Sequence, residues 1–111
     1  MARCRALARA DEEFPFGEEA AVFKVGGKLF AIVSVDNLPS TISLKCDPGY
    51  AEVLREQYPA VTAGYHLDKR HWNTVVLDGS VPNDVLCDWI DDSYELVIAG
   101  LTKAQRAVLG R

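Results

Sequence analysis

Apolar and polar positions change period several times along this chain, and each change marks an element. Residues 20–25 alternate, with Ala21, Phe23 and Val25 on one face and Val22 and Lys24 on the other, which predicts a strand. Gly26-Gly27 supplies the positive-φ residues of a two-residue hairpin turn, and residues 28–35 follow as the partner strand. That partner is apolar on both faces, the pattern of an interior strand covered on two sides. Asn37-Leu38-Pro39 breaks it. Residues 41–46 alternate again, with Ile42, Leu44 and Cys46 opposed to Thr41, Ser43 and Lys45.

The period then becomes helical. Asp47-Pro48 pairs an N-cap acceptor with proline at the first helical position. Tyr50, Val53, Leu54, Gln57 and Tyr58 fall at i, i+3, i+4, i+7 and i+8, until Pro59 stops the helix. Residues 64–77 read as one or two extended segments, most clearly over 74–77, and Asp78-Gly79 turns the chain. Over residues 82–99, Val85, Leu86, Trp89, Ile90, Leu96 and Val97 fit one helical face, ended by Gly100. Thr102-Lys103-Ala104-Gln105 has the capping-box form of a last short helix. At the start, residues 2–10 predict a helix with Leu7 as its one large aliphatic. Residues 1–13 are therefore expected to be a short, weakly anchored and poorly ordered element. Phe14-Pro15-Phe16-Gly17 is a turn carrying two aromatic rings. The order of elements implies an α+β fold, an antiparallel β-sheet with helices packed on one face.

Composition sharpens this. The chain has 111 residues, 49% of them hydrophobic and 25% charged, which predicts a single domain over 1–111 and excludes a disordered scaffold. The longest apolar stretch, residues 29–35, falls far short of the ~20 residues a membrane span needs, so no membrane association is expected. No apolar region follows Arg3, Arg5 and Arg9 as a signal peptide requires. Cys4, Cys46 and Cys87 are odd in number and widely spaced, which argues against a disulfide framework and points to a reducing cytoplasm. Net charge is −4, awkward for a protein that lives on phosphate contacts. The acid is unevenly spread, however. Residues 14–77 hold six basic and seven acidic groups, and residues 78–111 hold three basic and six acidic.

The densest candidate chemistry lies in residues 65–74. This block holds Tyr65, both histidines (His66 and His71), Asp68, Lys69, Arg70, Trp72 and Asn73. Lys and Arg neutralise phosphates, Trp and Tyr stack on bases, and Asn reads a base edge, so the block suits a nucleic-acid contact loop. The same composition suits a surface turn whose Trp72 folds back onto the core. Lys24 and Lys28 flank the glycine turn at the tip of a hairpin that would project like a wing, and Lys45 lies on the polar side of its strand. These lysines either extend the cationic surface or solubilise sheet edges.

No catalytic set accompanies them. There is no Gly-x-Ser-x-Gly elbow and no phosphate-cradling glycine loop, and the odd spacing of His66 and His71 sends them to opposite faces of a strand. Cys46 sits on an apolar face, the usual place of a buried thiol. The expectation is a non-enzymatic protein without cofactor or catalytic residues. Asp84, Asp88, Asp91, Asp92 and Glu95 form a carboxylate stripe on the late helix. It is the solvated face of an amphipathic helix or, as an alternative, a collector of hard cations. DNA should not approach over it.

Several blocks resemble those of a known family. Phe14-Pro15-Phe16-Gly17, Val22-Phe23-Lys24-Val25-Gly26-Gly27-Lys28-Leu29-Phe30-Ala31, Ser43-Leu44-Lys45-Cys46-Asp47-Pro48 and above all Tyr65-His66-Leu67-Asp68-Lys69-Arg70-His71-Trp72-Asn73-Thr74-Val75 look like successive blocks of the MmcQ/YjbR family. Ser93-Tyr94-Glu95-Leu96-Val97 with Leu101 closes the set, and the likeness spans about residues 11–109. It implies a CyaY-like (frataxin-like) α+β fold and a DNA-binding "double wing" protein of the bacterial cytoplasm, with DNA as partner and no enzymatic residues; independently of the resemblance, a monomer is expected. Carried over, it points to Lys45 and to residues 69–73 as contacts. One departure is the N-terminus, where the fuller family helix and its Leu-Pro-Gly-like turn are replaced by Leu7-Ala8-Arg9-Ala10. The frataxin likeness extends weakly to the acids, which frataxins carry on the first helix and this chain on a late one. The alternative to DNA binding is a protein-interaction or small-ligand domain with an apolar cleft lined by Trp72, Tyr65 or Phe16.

Overall fold

The computed structural model describes residues 2–110 apart from 16, 18, 36–38, 65 and 66. The expectations placed on Phe16, Asn37-Leu38, Tyr65 and His66 lie outside the described residues. The chain runs α1 (Ala2–Ala6), β1 (Asp11–Glu13), β2 (Ala20–Val25), β3 (Lys28–Ser34), β4 (Thr41–Lys45), α2 (Pro48–Gln57), β5 (Val61–Ala63), β6 (Trp72–Val76), α3 (Asn83–Ala99) and α4 (Lys103–Val108). The strands form one antiparallel sheet in the order β1-β2-β3-β4-β6-β5. Helix α3 lies across β2, β3 and β4, α2 lies on β5 and β6, and α1 rests on α3. This is the α+β architecture that the sequence implies.

Register assigns each strand residue to a face. Ala21, Val33, Ile42, Val75 and Val61 align across five strands, as do Phe23, Ala31, Leu44, Asn73 and Ala63 in the next row, and both rows lie under the helices. Val22, Ile32, Ser43, Thr74 and Thr62 form the opposite face, where the Ser43 and Thr74 hydroxyls hydrogen-bond at 2.8 Å. Strand β3 is interior, but the helices cover only one of its faces. Its Ile32 is half-buried beside Val22 and Ser43, so the doubly apolar pattern reflects cross-strand neighbours rather than a second helical layer.

A bulge shapes the centre. Phe23 faces Ala31 and Lys24 faces Leu29, which leaves Phe30 as the extra residue of β3. Its ring is fully buried, edge-on to Tyr94 with centroids 5.5 Å apart. Past this point the β3–β4 ladder stops, and Ser93 of α3 fills the gap. Its fully buried hydroxyl donates to the Phe30 carbonyl at 2.6 Å and accepts from the Lys45 N–H at 2.9 Å. The α3 face is therefore apolar around one serine that completes the sheet's hydrogen bonding.

Two sequence expectations need correction. The N-terminal helix is short, as expected, but it is anchored. Cys4 is fully buried, Arg3 forms a bidentate pair with Asp91 at 2.7 Å, and the Tyr94 hydroxyl donates to the Ala8 carbonyl. A cysteine, an arginine and one backbone carbonyl make these contacts, and none of them registers in an aliphatic pattern. The hairpin does not project as a free wing. Gly26 and Gly27 have φ of +59° and +77° as the turn requires, but a Cβ on Gly26 would sit 2.8 Å from Leu101 Cδ1, so the tip is packed under the segment after α3.

Candidate functional site

The turn leading into β6 is built by its own side chains. Asp68 accepts from the Arg70 N–H at 2.9 Å through one oxygen, and its other oxygen meets His71 Nδ1 at 2.9 Å. These contacts, the Arg70 amide first, hold the Asp68 carboxyl below its ordinary range. The His71 N–H also donates to the Asp68 carbonyl at 3.2 Å. A second support comes from α2. Arg55 donates from Nε to Asn73 Oδ1 at 2.7 Å and from Nη2 to the Lys69 carbonyl. Lys69 Nζ reaches the Gly64 carbonyl at 3.3 Å, and Lys69 and Arg70 remain exposed. Gly64 itself is required by close approach, since a Cβ there would lie 2.7 Å from Trp72 Cβ.

Register then decides which candidates share a face. Lys45 is aligned with Trp72, and each lies two residues from the Ser43–Thr74 pair, so they stand side by side on the helix-free face. The turn carrying Lys69, Arg70 and His71 adjoins them through Trp72. Trp72 belongs to strand β6 and is half-buried in the sheet, so the candidate block is a turn followed by a strand rather than one loop.

The other candidates separate from this group. Asn73 points to the helix side, is 3% exposed, and spends its amide on Arg55 and on the Ala51 carbonyl at 3.3 Å. It is a buried structural residue and not a contact. Lys24 lies on the helix-free face, but its ammonium is 3.3 Å from Glu13 of β1, and Asp11 is aligned with it. Lys28 is aligned with the buried Val25 and so belongs to the opposite face. The flanking lysines of the hairpin thus diverge. Arg55 is the residue that sequence reasoning missed, because it looks like any polar residue on the outer side of α2.

The acidic stripe lies on α3, on the far side of the sheet from Lys45 and Trp72. Asp91 is engaged by Arg3, and among the described residues no three His, Cys, Asp or Glu side chains cluster as metal ligands. Asp92 is raised above the ordinary aspartate range by partial burial, then by Asp88 and Asp91. A carboxyl raised by folding favours the native state when protonated, so its penalty grows as pH rises from 3.8 through the folded value and is complete at neutrality. Asp92→Asn should therefore raise the melting temperature at pH 7 and give little gain below pH 4. Solvent screening keeps the effect within about 0.5 kcal/mol. Thermal melts at the two pH values check it.

Cys46 faces a narrow apolar cavity of about 20 Å³ between α2 and α3, walled by Tyr50, Leu54, Trp89 and Asp92 rather than by Trp72. That space holds about one water. Burial, then the nearby Asp47, pushes the Cys46 thiol up to about 11, so it is protonated at neutral pH, the opposite of an activated nucleophile. Cys4, Cys46 and Cys87 are all free thiols. No helix is long and apolar enough to cross a membrane among the described residues.

Comparison with known proteins places these features in context. The family model described as YjbR matches residues 5–96. YjbR of Escherichia coli K12 is 38% identical over 107 residues, which cover 96% of this chain and 90% of that protein. YbdF of Escherichia coli O157:H7 is 40% identical over 90 residues, 81% of this chain and 74% of that protein. The crystal structure of Deinococcus radiodurans DR2400, a DUF419 domain, superposes with a TM-score of 0.91 at 43% identity, covering 98% of this chain and 83% of that one. A Pseudomonas syringae protein superposes with a TM-score of 0.68 at 26% identity, covering 78% of this chain and 86% of that one.

Proposed function

This chain belongs to the YjbR family, and we propose that it is a non-enzymatic DNA-binding protein of the cytoplasm with a small electrostatic footprint. The observation that carries this reading is the pairing of Lys45 with Trp72 on the helix-free sheet face, at the end of the strand into which the turn bearing the exposed cations Lys69 and Arg70 leads. The ammonium and guanidinium groups neutralise backbone phosphates, and the indole offers an apolar surface to a sugar or base. The carboxylate stripe of α3 lies across the sheet and leaves this approach open, so net charge −4 limits the affinity without abolishing it. The protein acts as a monomer on this reading.

The test is an anisotropy titration of a fluorescent DNA duplex at low salt. Lys69→Ala combined with Arg70→Ala should weaken binding at least about tenfold, since each lost phosphate contact with a charged donor removes on the order of 1 kcal/mol. Lys45→Ala should weaken it further. Lys28→Ala, on the other face, should leave it unchanged. Equal weakening by Lys28→Ala, or none by the double variant, would overturn the assignment of the face.

A further inference from the structure

A cleft of about 250 Å³ opens on the helix side of the same turn, walled by Pro48, Gly49, Glu52 and Arg55 of α2 and by Lys69 and Arg70. Its charged lining is three cations against one carboxylate. Among the described residues none of these three cations forms an ion pair with a carboxylate. Arg55 is held in place through Nε and Nη2, which leaves the guanidinium edge bearing Nη1 for a further acceptor. Lys69 has two ammonium protons beyond the one given to the Gly64 carbonyl. Gly49 contributes no side chain to the wall, and a Cβ built there meets only Asp47 Oδ2, at 3.5 Å. The space is below the roughly 300–1,000 Å³ of drug-sized sites, so its occupant is a small group.

We propose that this cleft binds a phosphomonoester dianion. A planar guanidinium fixed by two hydrogen bonds beside two exposed cations suits a tetrahedral dianion with three acceptor oxygens, which gains more than a monovalent carboxylate from such a set. The Arg55 clamp serves both sides of the turn, holding its backbone and presenting its remaining edge to the cleft. The dianion is either a free small phosphomonoester or the terminal phosphate of a nucleic-acid strand. In the second case the site deepens the DNA reading above and rests on it.

The direct probe is inorganic phosphate, added to the ¹⁵N-labelled full chain at constant ionic strength with chloride as the matched control. Saturable amide shifts at Gly49, Arg55, Lys69 and Arg70 are expected with phosphate and not with chloride. Gly49→Glu places a carboxylate in the cleft at a position in the first helical turn that tolerates acid. It should keep the wild-type melting temperature and raise the phosphate midpoint at least about tenfold. Arg70→Gln should raise it as well, whereas Lys45→Ala should not move it. No saturable shift, an equal response to chloride, or an unchanged midpoint in a folded Gly49→Glu protein would overturn the proposal.

Paired oligonucleotides then separate the two sources. Tighter binding of a 5′-phosphorylated strand than of its 5′-hydroxyl twin, lost in Gly49→Glu, assigns a strand end. A retained inorganic phosphate response without any oligonucleotide binding assigns a small phosphomonoester, and it is the DNA reading that then fails.

Discussion

Ser93→Ala should lower the unfolding free energy by about 2–4 kcal/mol, a large effect for the loss of one oxygen. The hydroxyl is fully buried and bonds two main-chain groups on neighbouring strands, the Phe30 carbonyl and the Lys45 N–H. With alanine there, both groups stay buried without those partners, and each costs about 1–3 kcal/mol when no water replaces them. The side chain itself is small, so the loss of packing adds little. Urea denaturation of the two proteins measures the difference, and a loss under 1 kcal/mol would mean that a water enters the site or that the strands close over it. Because Lys45 is one of the two groups, Ser93 also fixes where the Lys45–Trp72 pair stands, and the fold and the proposed contact face share this hydroxyl.

Asn73→Ala is expected to cost about 2–3 kcal/mol and to loosen the turn. The amide accepts from Arg55 Nε and donates to the Ala51 carbonyl from a position that is almost fully buried. Its removal leaves a half-buried guanidinium without its side-chain acceptor, and hydrogen bonds to charged groups are worth about 1.5–3 kcal/mol. Arg55 also holds the Lys69 carbonyl, so disorder in its side chain passes to the turn that carries Lys69 and Arg70. Hydrogen exchange should accelerate at residues 69–71 in Asn73→Ala and in Arg55→Ala alike. A double-mutant cycle between the two should return a coupling of about 1–2 kcal/mol. DNA binding should weaken in Asn73→Ala although Asn73 faces away from the proposed contact surface. A coupling near zero would mean that the turn stands without the clamp.

Much of the fold was legible because its signals are local. The glycine pair at 26–27, the alternation through Phe23 and Leu44, Asp47-Pro48 and the Thr102–Gln105 box each act within a few residues, and the structure uses them all. Strands β1 and β5 were not legible. Asp11-Glu12-Glu13 has no apolar residue and is a strand only because β2 offers an edge to pair with, and Val61-Thr62-Ala63 is too short to show a period. In the site, the cationic and aromatic block was evident from composition, but its geometry depended on where β6 begins. A strand starting at Trp72 puts Asn73 on the same side as the buried Val75, whereas a loop through residue 73 leaves both ends of the block facing solvent. The Lys24–Glu13 and Arg3–Asp91 pairs join residues that are distant in sequence, so net charge alone could not reveal which charges are already matched.

The central claim, a small cationic face that binds DNA through phosphates, is tested most directly by the salt dependence of duplex affinity. Three contacts, from Lys45, Lys69 and Arg70, predict a slope of log K against log salt near −2.7, from about −0.9 per neutralised phosphate. Lys69→Ala with Arg70→Ala should bring the slope to about −0.9. Absence of binding at low salt, or a slope that the double variant leaves unchanged, would contradict it.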